Sequence, residues 1–278
     1  MSALLEVEDL RVSFPAPTGP FHAVRGVSFS LGRERLGIVG ESGSGKSLTG
    51  RAILRLLPAN AMLSARRLAF DGTDMLGAST RTLRAIRGSR ISLVLQDPKY
   101  SLNPVMRVGE QIAEAARIHG GVPPAEAKRR ALAMLEAVRI RDPERVYRLY
   151  PHEVSGGMGQ RIMIAMMLVP EPDLLIADEP TSALDVTVQM QVLAILDDLV
   201  SRRGMGLIFI SHDLDLVASF CDRVLVMYAG RVVEERAARD LANATHPYTR
   251  GLLQSLPRID DDRGELPTLA RDPAWRDG

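Results

Sequence analysis

The sequence predicts an α/β fold in which a largely parallel sheet is covered by helices. Short apolar runs of strand length recur along the chain, and helix-like stretches separate the later ones. The runs occupy residues 36–39, 91–95, 174–177, 207–210 and 224–228. Such alternation is typical of parallel strands that are joined by crossover helices.

Two regions of the chain, residues 4–31 and residues 108–150, depart from this alternation. Residues 4–14 and 23–31 alternate apolar and polar side chains and enclose a Pro/Gly turn region, which predicts two antiparallel strands at an edge. Residues 108–150 are rich in Ala, Arg and Glu, with a break at 120–124. They predict a helical subdomain, at about residues 98–160, that is inserted between strands.

The C-terminal part of the sequence differs from the rest. After Glu235 the chain turns polar and irregular, and from residue 260 onward it consists largely of Asp, Arg and Pro. We therefore expect one domain over residues 1–235 and a short extension over residues 236–278.

Composition excludes several classes of protein. The 278 residues are 46% hydrophobic, which is enough for a proper core, and 35 Lys and Arg against 34 Asp and Glu give no electrostatic reason to bind nucleic acid or anionic lipid. The longest apolar run, residues 162–170, is far shorter than the roughly 20 residues of a spanning helix, and residues 1–10 do not resemble a signal peptide. The single cysteine, Cys221, excludes an internal disulfide. We expect a cytoplasmic protein whose membrane association comes through a partner.

A phosphate-binding loop follows the first apolar run. The segment satisfies the Walker A pattern G-x-x-x-x-G-K-[ST] and comprises Gly40, Glu41, Ser42, Gly43, Ser44, Gly45, Lys46 and Ser47. The glycines allow backbone N–H groups to face phosphate oxygens, Lys46 would reach the β- and γ-phosphates, and Ser47 supplies a hydroxyl for Mg²⁺. The alternative is a Gly-rich turn with an exposed lysine. The apolar run before the loop and the helical spacing at residues 48–57 favour the nucleotide site.

Two acidic residues follow another apolar run. Asp178 and Glu179 come directly after residues 174–177, so Asp178 is predicted at the carboxyl end of a buried strand, where ligands of such sheets bind. Asp178 can hold the Mg²⁺ shell, and Glu179 can act as general base for the attacking water. A solvated acidic pair is the alternative interpretation.

The order of motifs along the chain resembles the nucleotide-binding domain of ABC transporters. The matching elements are the phosphate loop, Gln96, Ser155-Gly156-Gly157, Asp178-Glu179, Ser182-Ala183-Leu184-Asp185 and His212. The resemblance covers roughly residues 4–235. It implies a P-loop NTPase with a RecA-like core, an antiparallel β edge and an inserted helical subdomain, and it implies ATP and Mg²⁺ as cofactors.

The resemblance also implies a shared active site. Two subunits would pair head to tail, so that each ATP lies between one phosphate loop and the Ser155-Gly156-Gly157 segment of the other subunit. Gln96 would contact Mg²⁺ and the attacking water, His212 would bind the γ-phosphate, and Asp185 would lie in the loop that links the two sites.

An aromatic residue before the phosphate loop stacks on adenine in this family. Phe14 and Phe21 both qualify, because the segment 15–20 between them makes the alignment ambiguous. Our prediction is Phe14.

Three further segments resemble the oligopeptide, dipeptide and nickel importer branch. They are Gln96-Asp97-Pro98 with Ser101-Leu102-Asn103-Pro104, Gly156-Gly157-Met158 with Gln160-Arg161, and His246-Pro247-Tyr248-Thr249-Arg250. The expected function is ATP hydrolysis that energises import of peptides, with nickel as the alternative substrate. The expected partners are permease subunits, which would dock near residues 96–100, a second ATP-binding subunit and, indirectly, an extracytoplasmic solute-binding protein. The chain would then lie at the cytoplasmic face of the inner membrane.

Other functions remain as alternatives. A soluble ABC ATPase of DNA repair or translation would carry a long insertion or a second fused domain, neither of which the sequence contains. A GTPase or small-molecule kinase would leave the Ser155-Gly156-Gly157 segment unexplained.

Overall fold

The computed structural model describes residues 3–96, 101–182, 184–255, 272 and 275. The chain divides into two compact units, of which the first comprises Met1–Gly77 with Phe209–Gly278 and the second comprises Ala78–Ile208. The predicted helical subdomain at about 98–160 falls within the second unit. The division into residues 1–235 and 236–278 stays a prediction.

The first unit begins with six strands and one helix. In chain order these are β1 (Leu5–Phe14), β2 (Phe21–Leu31), β3 (Arg35–Val39), α1 (Lys46–Ile53), β4 (Met62–Ser64), β5 (Arg67–Phe70) and β6 (Thr73–Asp74). Five of the strands form an antiparallel sheet in the order β2-β1-β5-β6, with β4 also paired to β1. The predicted antiparallel edge is therefore confirmed.

Strand β1 shows why the alternating pattern selects a half-buried strand. Its apolar residues Leu5, Val7, Leu10 and Val12 are almost fully buried. The register against β2 shifts between Val7 and Leu10, where Asp9 has a φ of 51°. This bulge keeps apolar residues on one face although the spacing from Val7 to Leu10 is odd.

Helix α1 is shorter than its apolar spacing predicts. We expected a helix over residues 48–57, but α1 ends at Ile53. Arg55 has a left-handed φ of 52°, and its guanidinium donates to the carbonyl oxygens of Met75 and Leu76. The left-handed residue ends the helix because successive residues can no longer keep helical geometry.

The second unit contains most of the helices. In chain order its elements are α2 (Thr80–Ile86), β7 (Ile91–Val94), α3 (Val108–Gly120), α4 (Pro124–Ala137), α5 (Pro143–Tyr147), α6 (Gly156–Leu168), β8 (Leu174–Asp178), α7 (Val186–Arg203) and β9 (Gly206–Ser211). β7 and β8 are parallel, with Val94 beside Ala177. The predicted helix break is confirmed, since Gly121 is left-handed at φ 65° and α4 begins with a proline.

The chain returns to the first unit within β9 and continues through α8 (Leu214–Phe220), β10 (Arg223–Tyr228), β11 (Arg231–Ala237) and α9 (Pro247–Gln254). β10 is parallel to β3 and antiparallel to β11. β11 continues past Glu235, where the sequence predicted that regular structure ends. Most of the polar segment from residue 260 onward lies outside the described residues.

Candidate functional site

The glycine-rich loop joins β3 to α1 in the first unit. Gly40 and Gly45 have φ angles of 150° and 98°. A Cβ atom at Gly40 would lie 2.1 Å from the carbonyl oxygen of Met227, and one at Gly45 would lie 2.7 Å from that of Ala23. Glycine is required at both positions because the backbone conformation and the nearby carbonyl oxygens both exclude a side chain.

Lys46 is folded back onto this loop. Its Nζ atom donates to the carbonyl oxygens of Gly40 at 2.7 Å and Glu41 at 2.9 Å, and the residue is only 4% exposed. α1 begins at Lys46, and Gly45 at its N-cap provides no side-chain acceptor. The positive end of α1 and the lysine ammonium thus come together in the loop, an arrangement that suits a phosphate anion.

A cavity of about 530 Å³ opens beside the loop within the first unit. Glu41, Ser42, Gly43 and Ser44 form one wall. The remaining lining residues are Pro20, Phe21, His22, Ala23, Arg25, Tyr228 and Ala229. Phe21 is 61% exposed and Phe14, its partner across β1 and β2, is not among the lining residues. The cavity therefore favours Phe21 over the predicted Phe14 as the aromatic residue next to a nucleotide.

His212 shares a second cavity with the phosphate loop. This cavity of about 420 Å³ is lined by Gly40, Glu41 and Ser42 on one side and by His212 and Leu214 on another. Leu252 and Ser255, at the end of α9, complete its described lining together with Val39. The first unit thus brings His212 next to the loop, although the two are far apart in sequence.

The second unit gathers the predicted acidic residues at a strand edge. All of β8 is buried, and Asp178 at its carboxyl end is 4% exposed. Glu179 follows with a left-handed φ of 48°. Gln96 is exposed just beyond the end of β7, and because β7 and β8 are parallel neighbours, Gln96 lies at the same edge as Asp178 and Glu179.

The Ser155-Gly156-Gly157 segment forms the N-terminus of α6. Ser155 is the N-cap, and its hydroxyl accepts from the N–H of Met158 at 3.4 Å. Ser155 and Gly156 are exposed, and a Cβ atom at Gly157 would lie 2.7 Å from Val188 Cγ1. Asp185 caps α7 by accepting from the N–H of Val188 at 3.0 Å. Val188 thus connects the glycine segment with Asp185.

Three neighbours of predicted motifs lie outside the described residues. Asp97 and Pro98, which follow Gln96, are among them, as is Ala183 in the segment that ends at Asp185.

Comparison with family models identifies the protein family. Residues 24–182 match the family described as ABC transporter. The chain belongs to the ABC transporter family. Residues 233–276 also match the family described as the C-terminal region of oligopeptide/dipeptide transporters. The chain is therefore an ABC-type ATPase with an additional C-terminal region.

Curated relatives extend along nearly the whole ABC ATPase. A protein of Sinorhizobium fredii named probable peptide ABC transporter ATP-binding protein y4tR is 52% identical, covering 97% of this chain and 84% of the relative. The oligopeptide transport ATP-binding protein OppD of Salmonella typhimurium is 48% identical, covering 98% of this chain and 82% of its own length.

Solved structures share the architecture. The dimeric post-hydrolysis state of the ATP-binding cassette MJ0796, bound to ADP and Pi, is 25% identical with a TM-score of 0.75, and the match covers 84% of this chain and 99% of that one. None of the helices in the described part of the chain combines the length and the apolar character that a membrane span requires.

The sequence interpretation missed three contacts of this ABC ATPase. Gln160, which is 1% exposed, donates to the carbonyl oxygen of Pro180 just after Glu179. Val188 packs on Gly157, and the hydroxyl of Tyr248 accepts from the N–H of Glu41 in the phosphate loop. Gln160 is a polar residue in a mostly apolar helix, and Gly157 and Tyr248 lie in segments that carry the family resemblance, but none of these signals indicates the contact partner.

Proposed function

We propose that this chain binds and hydrolyses ATP to drive the import of peptides through a membrane permease. The observation that carries this proposal is the 52% and 48% identity to peptide-transport ATP-binding proteins, which extends over 97% and 98% of the chain. The match of residues 233–276 to the peptide-transporter C-terminal region points to the same branch.

The phosphate loop would hold ATP in the first unit. Backbone N–H groups of the glycine-rich loop other than those of Glu41 and Ser44, together with the ammonium of Lys46, supply positive charge at the start of α1. In place of Phe14, we propose Phe21 as the residue that stacks on adenine, because its exposed ring lines the cavity beside Ser42 and Gly43.

The oxygen donors suit Mg²⁺. Ser47, Asp178 and Gln96 carry the hydroxyl, carboxylate and amide oxygens that would hold the ion. Mg²⁺ in nucleotide sites is commonly held by one or two carboxylates together with phosphates and water. When bound, Mg²⁺ neutralises charge on the β- and γ-phosphates.

Glu179 would act as general base for hydrolysis. Its carboxylate accepts a proton as water attacks the γ-phosphorus, and Gln96 at the same strand edge orients that water. Glu179, with a left-handed φ of 48°, directly follows the buried strand β8 and stands next to Asp178. His212, which lines a cavity with the phosphate loop, would bind the γ-phosphate.

A second ATP-binding subunit would complete each site. The exposed Ser155 and Gly156 at the positive end of α6 form an anion site for the ATP of the partner subunit. Asp185, linked to Gly157 through Val188, would connect the two sites. The neighbour bound to ADP and Pi is itself dimeric, which supports this arrangement.

The permease would dock on a groove in the second unit. A cavity of about 320 Å³ is lined by the apolar side chains of Met106, Ile118, Met166 and Met167 and also by polar residues, among them Ser101, Asn103, Gln111, Glu114 and His119. Ser101 directly follows residues 96–100, where the sequence predicted the contact. Met166 and Met167 lie near the C-terminal end of α6, whose N-terminus carries Gly156, so a single helix would connect the permease groove with the ATP of the partner subunit.

This docking predicts a specific defect. Ile118 is 67% exposed, and Ile118→Glu should abolish copurification with the permease because it places a charge in an apolar contact. Leu56→Glu, at a residue 44% exposed in the first unit, is the matched control. Retained permease binding by Ile118→Glu would refute the assignment of this groove.

With a permease bound, the chain would lie at the cytoplasmic face of the inner membrane, and an extracytoplasmic solute-binding protein would deliver the peptide. Uptake of labelled dipeptides, longer peptides and Ni²⁺ in a deletion strain tests the substrate. We expect peptide uptake to be lost, to return with the wild-type chain and not with Lys46→Ala. Loss of Ni²⁺ uptake with intact peptide uptake would contradict the proposal and favour the nickel importer.

A further inference from the structure

The C-terminal region reaches the phosphate loop through one hydrogen bond. The N–H of Glu41 donates to the hydroxyl oxygen of Tyr248 at 3.1 Å, across 207 positions of sequence. Tyr248 is fully buried. Nothing in the local sequence of the loop provides this contact.

The bond acts on the peptide unit that also holds the loop lysine. Gly40 contributes the carbonyl and Glu41 the N–H of a single planar peptide group. Lys46 Nζ donates to the carbonyl oxygen at 2.7 Å, while Tyr248 accepts from the N–H. Because the group is rigid, any rotation that breaks one of these bonds also strains the other. Tyr248 therefore fixes the orientation of the peptide on which the ammonium of Lys46 rests.

Tyr248 is itself held in place by two sets of contacts. Its N–H donates to His246 Nδ1 at 3.2 Å at the start of α9. Its ring lies 4.5 Å from that of Tyr228 and 6.1 Å from that of Trp275, measured between centroids. The hydroxyl is thus preorganised to accept from the loop before any nucleotide binds.

The residues around Tyr248 also line both cavities beside the loop. Tyr228 belongs to the lining of the 530 Å³ cavity. Leu252 and Ser255 belong to that of the 420 Å³ cavity, which contains His212. A structural change in the C-terminal region would therefore alter the conformation of the loop. By thermodynamic linkage, nucleotide binding at the loop would in turn alter the C-terminal region.

We propose that Tyr248 is a positioning residue for the phosphate loop, through which the C-terminal region sets the affinity for ATP. The proposal rests on the assignment of residues 40–47 as the ATP site. It gives the C-terminal region a role in the ATPase cycle of this chain that is separate from the permease groove.

The test compares Tyr248→Phe with wild type in the purified full chain. This variant keeps the buried ring and removes the hydroxyl that accepts from the Glu41 N–H. Loss of one hydrogen bond should raise the ATP dissociation constant, measured by calorimetry, by about three- to tenfold. Tyr147→Phe, which removes a hydroxyl from the second unit, should leave the constant unchanged. In the permease complex, Tyr248→Phe should raise KM for ATP while kcat changes little.

A second measurement requires no variant. Trp275 is the only tryptophan of the chain, so its fluorescence reports on the Tyr248 cluster. Titration of wild type with ATP should change this fluorescence with the same dissociation constant as calorimetry gives. If wild type binds ATP but the fluorescence does not change, or if folded Tyr248→Phe binds ATP as tightly as wild type, the role of Tyr248 is refuted. If wild type itself fails to bind ATP, the ATP site assignment fails instead.

Discussion

Glu234 on β11 holds the segment that leads into α9 by hydrogen bonds. Loss of the Glu234 carboxylate should therefore destabilise that segment. The carboxylate accepts from Arg236 Nε at 2.6 Å and from the N–H groups of Thr245 at 2.8 Å and His246 at 3.2 Å. Burial acts to raise the pKa of Glu234, but the Arg236 guanidinium and the Thr245 N–H outweigh it and lower the pKa from 4.5 to about 2. The folded state therefore strongly favours the ionised carboxylate.

The lowered pKa gives the magnitude and its pH dependence. One pKa unit corresponds to about 1.4 kcal/mol, so the ionised Glu234 contributes on the order of 3 kcal/mol to folding. Because the folded pKa lies below the unfolded one, this contribution is complete above pH 4.5 and is lost as the pH falls toward 2. Glu234→Gln should lower the free energy of unfolding by about 2 to 3 kcal/mol at pH 7. At pH 4 the difference in unfolding free energy between the variant and wild type should be smaller by roughly 1 kcal/mol.

Urea unfolding followed by Trp275 fluorescence is the assay, because that ring packs 6.2 Å from His246. Glu126→Gln is the control: hydrogen bonds from Arg129 and Arg130 also lower the pKa of Glu126 to about 2, but Arg129 is 75% exposed and water screens the pair. The control should leave the Trp275 transition almost unchanged. An equal stability of Glu234→Gln and wild type at pH 7, or a difference that does not shrink at pH 4, would refute the reasoning.

Three other predictions follow from single contacts. Phe21→Ala should weaken ATP binding about tenfold by calorimetry, because a base loses its stacking partner, whereas an equal loss in Phe14→Ala alone would restore the original assignment. Gly157→Ala should destabilise the chain by about 1 to 3 kcal/mol in thermal unfolding, because its Cβ would lie 2.7 Å from Val188 Cγ1, and Val188→Ala should rescue it; no rescue would contradict the contact. Burial raises the pKa of the Cys221 thiol to about 12, so a thiol reagent at pH 8 should label it only after unfolding, and rapid labelling of the folded chain would contradict its burial.

Local patterns predicted the elements that carry the phosphate loop. A short apolar run, a glycine segment and helical spacing suffice to predict β3, the loop and the start of α1, because each depends on neighbours in sequence. The predicted end of helix α1 was wrong. Arg55 adopts a left-handed backbone conformation, and its guanidinium donates to carbonyl oxygens about 20 residues further along the chain. Strand β11 was not predicted, because polar residues such as Glu234 and Arg236, which form an ion pair with each other, do not make an apolar run.

In the candidate site, too, the sequence predicted some features and not others. The residue types at Lys46, Asp178 and Glu179 suit phosphate and Mg²⁺ chemistry, and the resemblance of the motif order to the ABC family added His212; these four assignments stay predictions. The contact between Tyr248 and Glu41 could not be predicted, because 207 positions separate the two residues and the sequence around each gives no indication of the other. The choice between Phe14 and Phe21 depended on the path of residues 15–20, which periodicity does not determine.

The assignment of Glu179 as the base is tested most directly in the full complex with the permease. Glu179→Gln should bind ATP with unchanged affinity and lower kcat by about 10² to 10⁴ in the complex, and the isolated variant should elute as a dimer from size exclusion when ATP is present. Glu171→Gln is the control, because Glu171 lies in the same unit and also has a left-handed φ, of 62°. Wild-type turnover by Glu179→Gln would contradict the account.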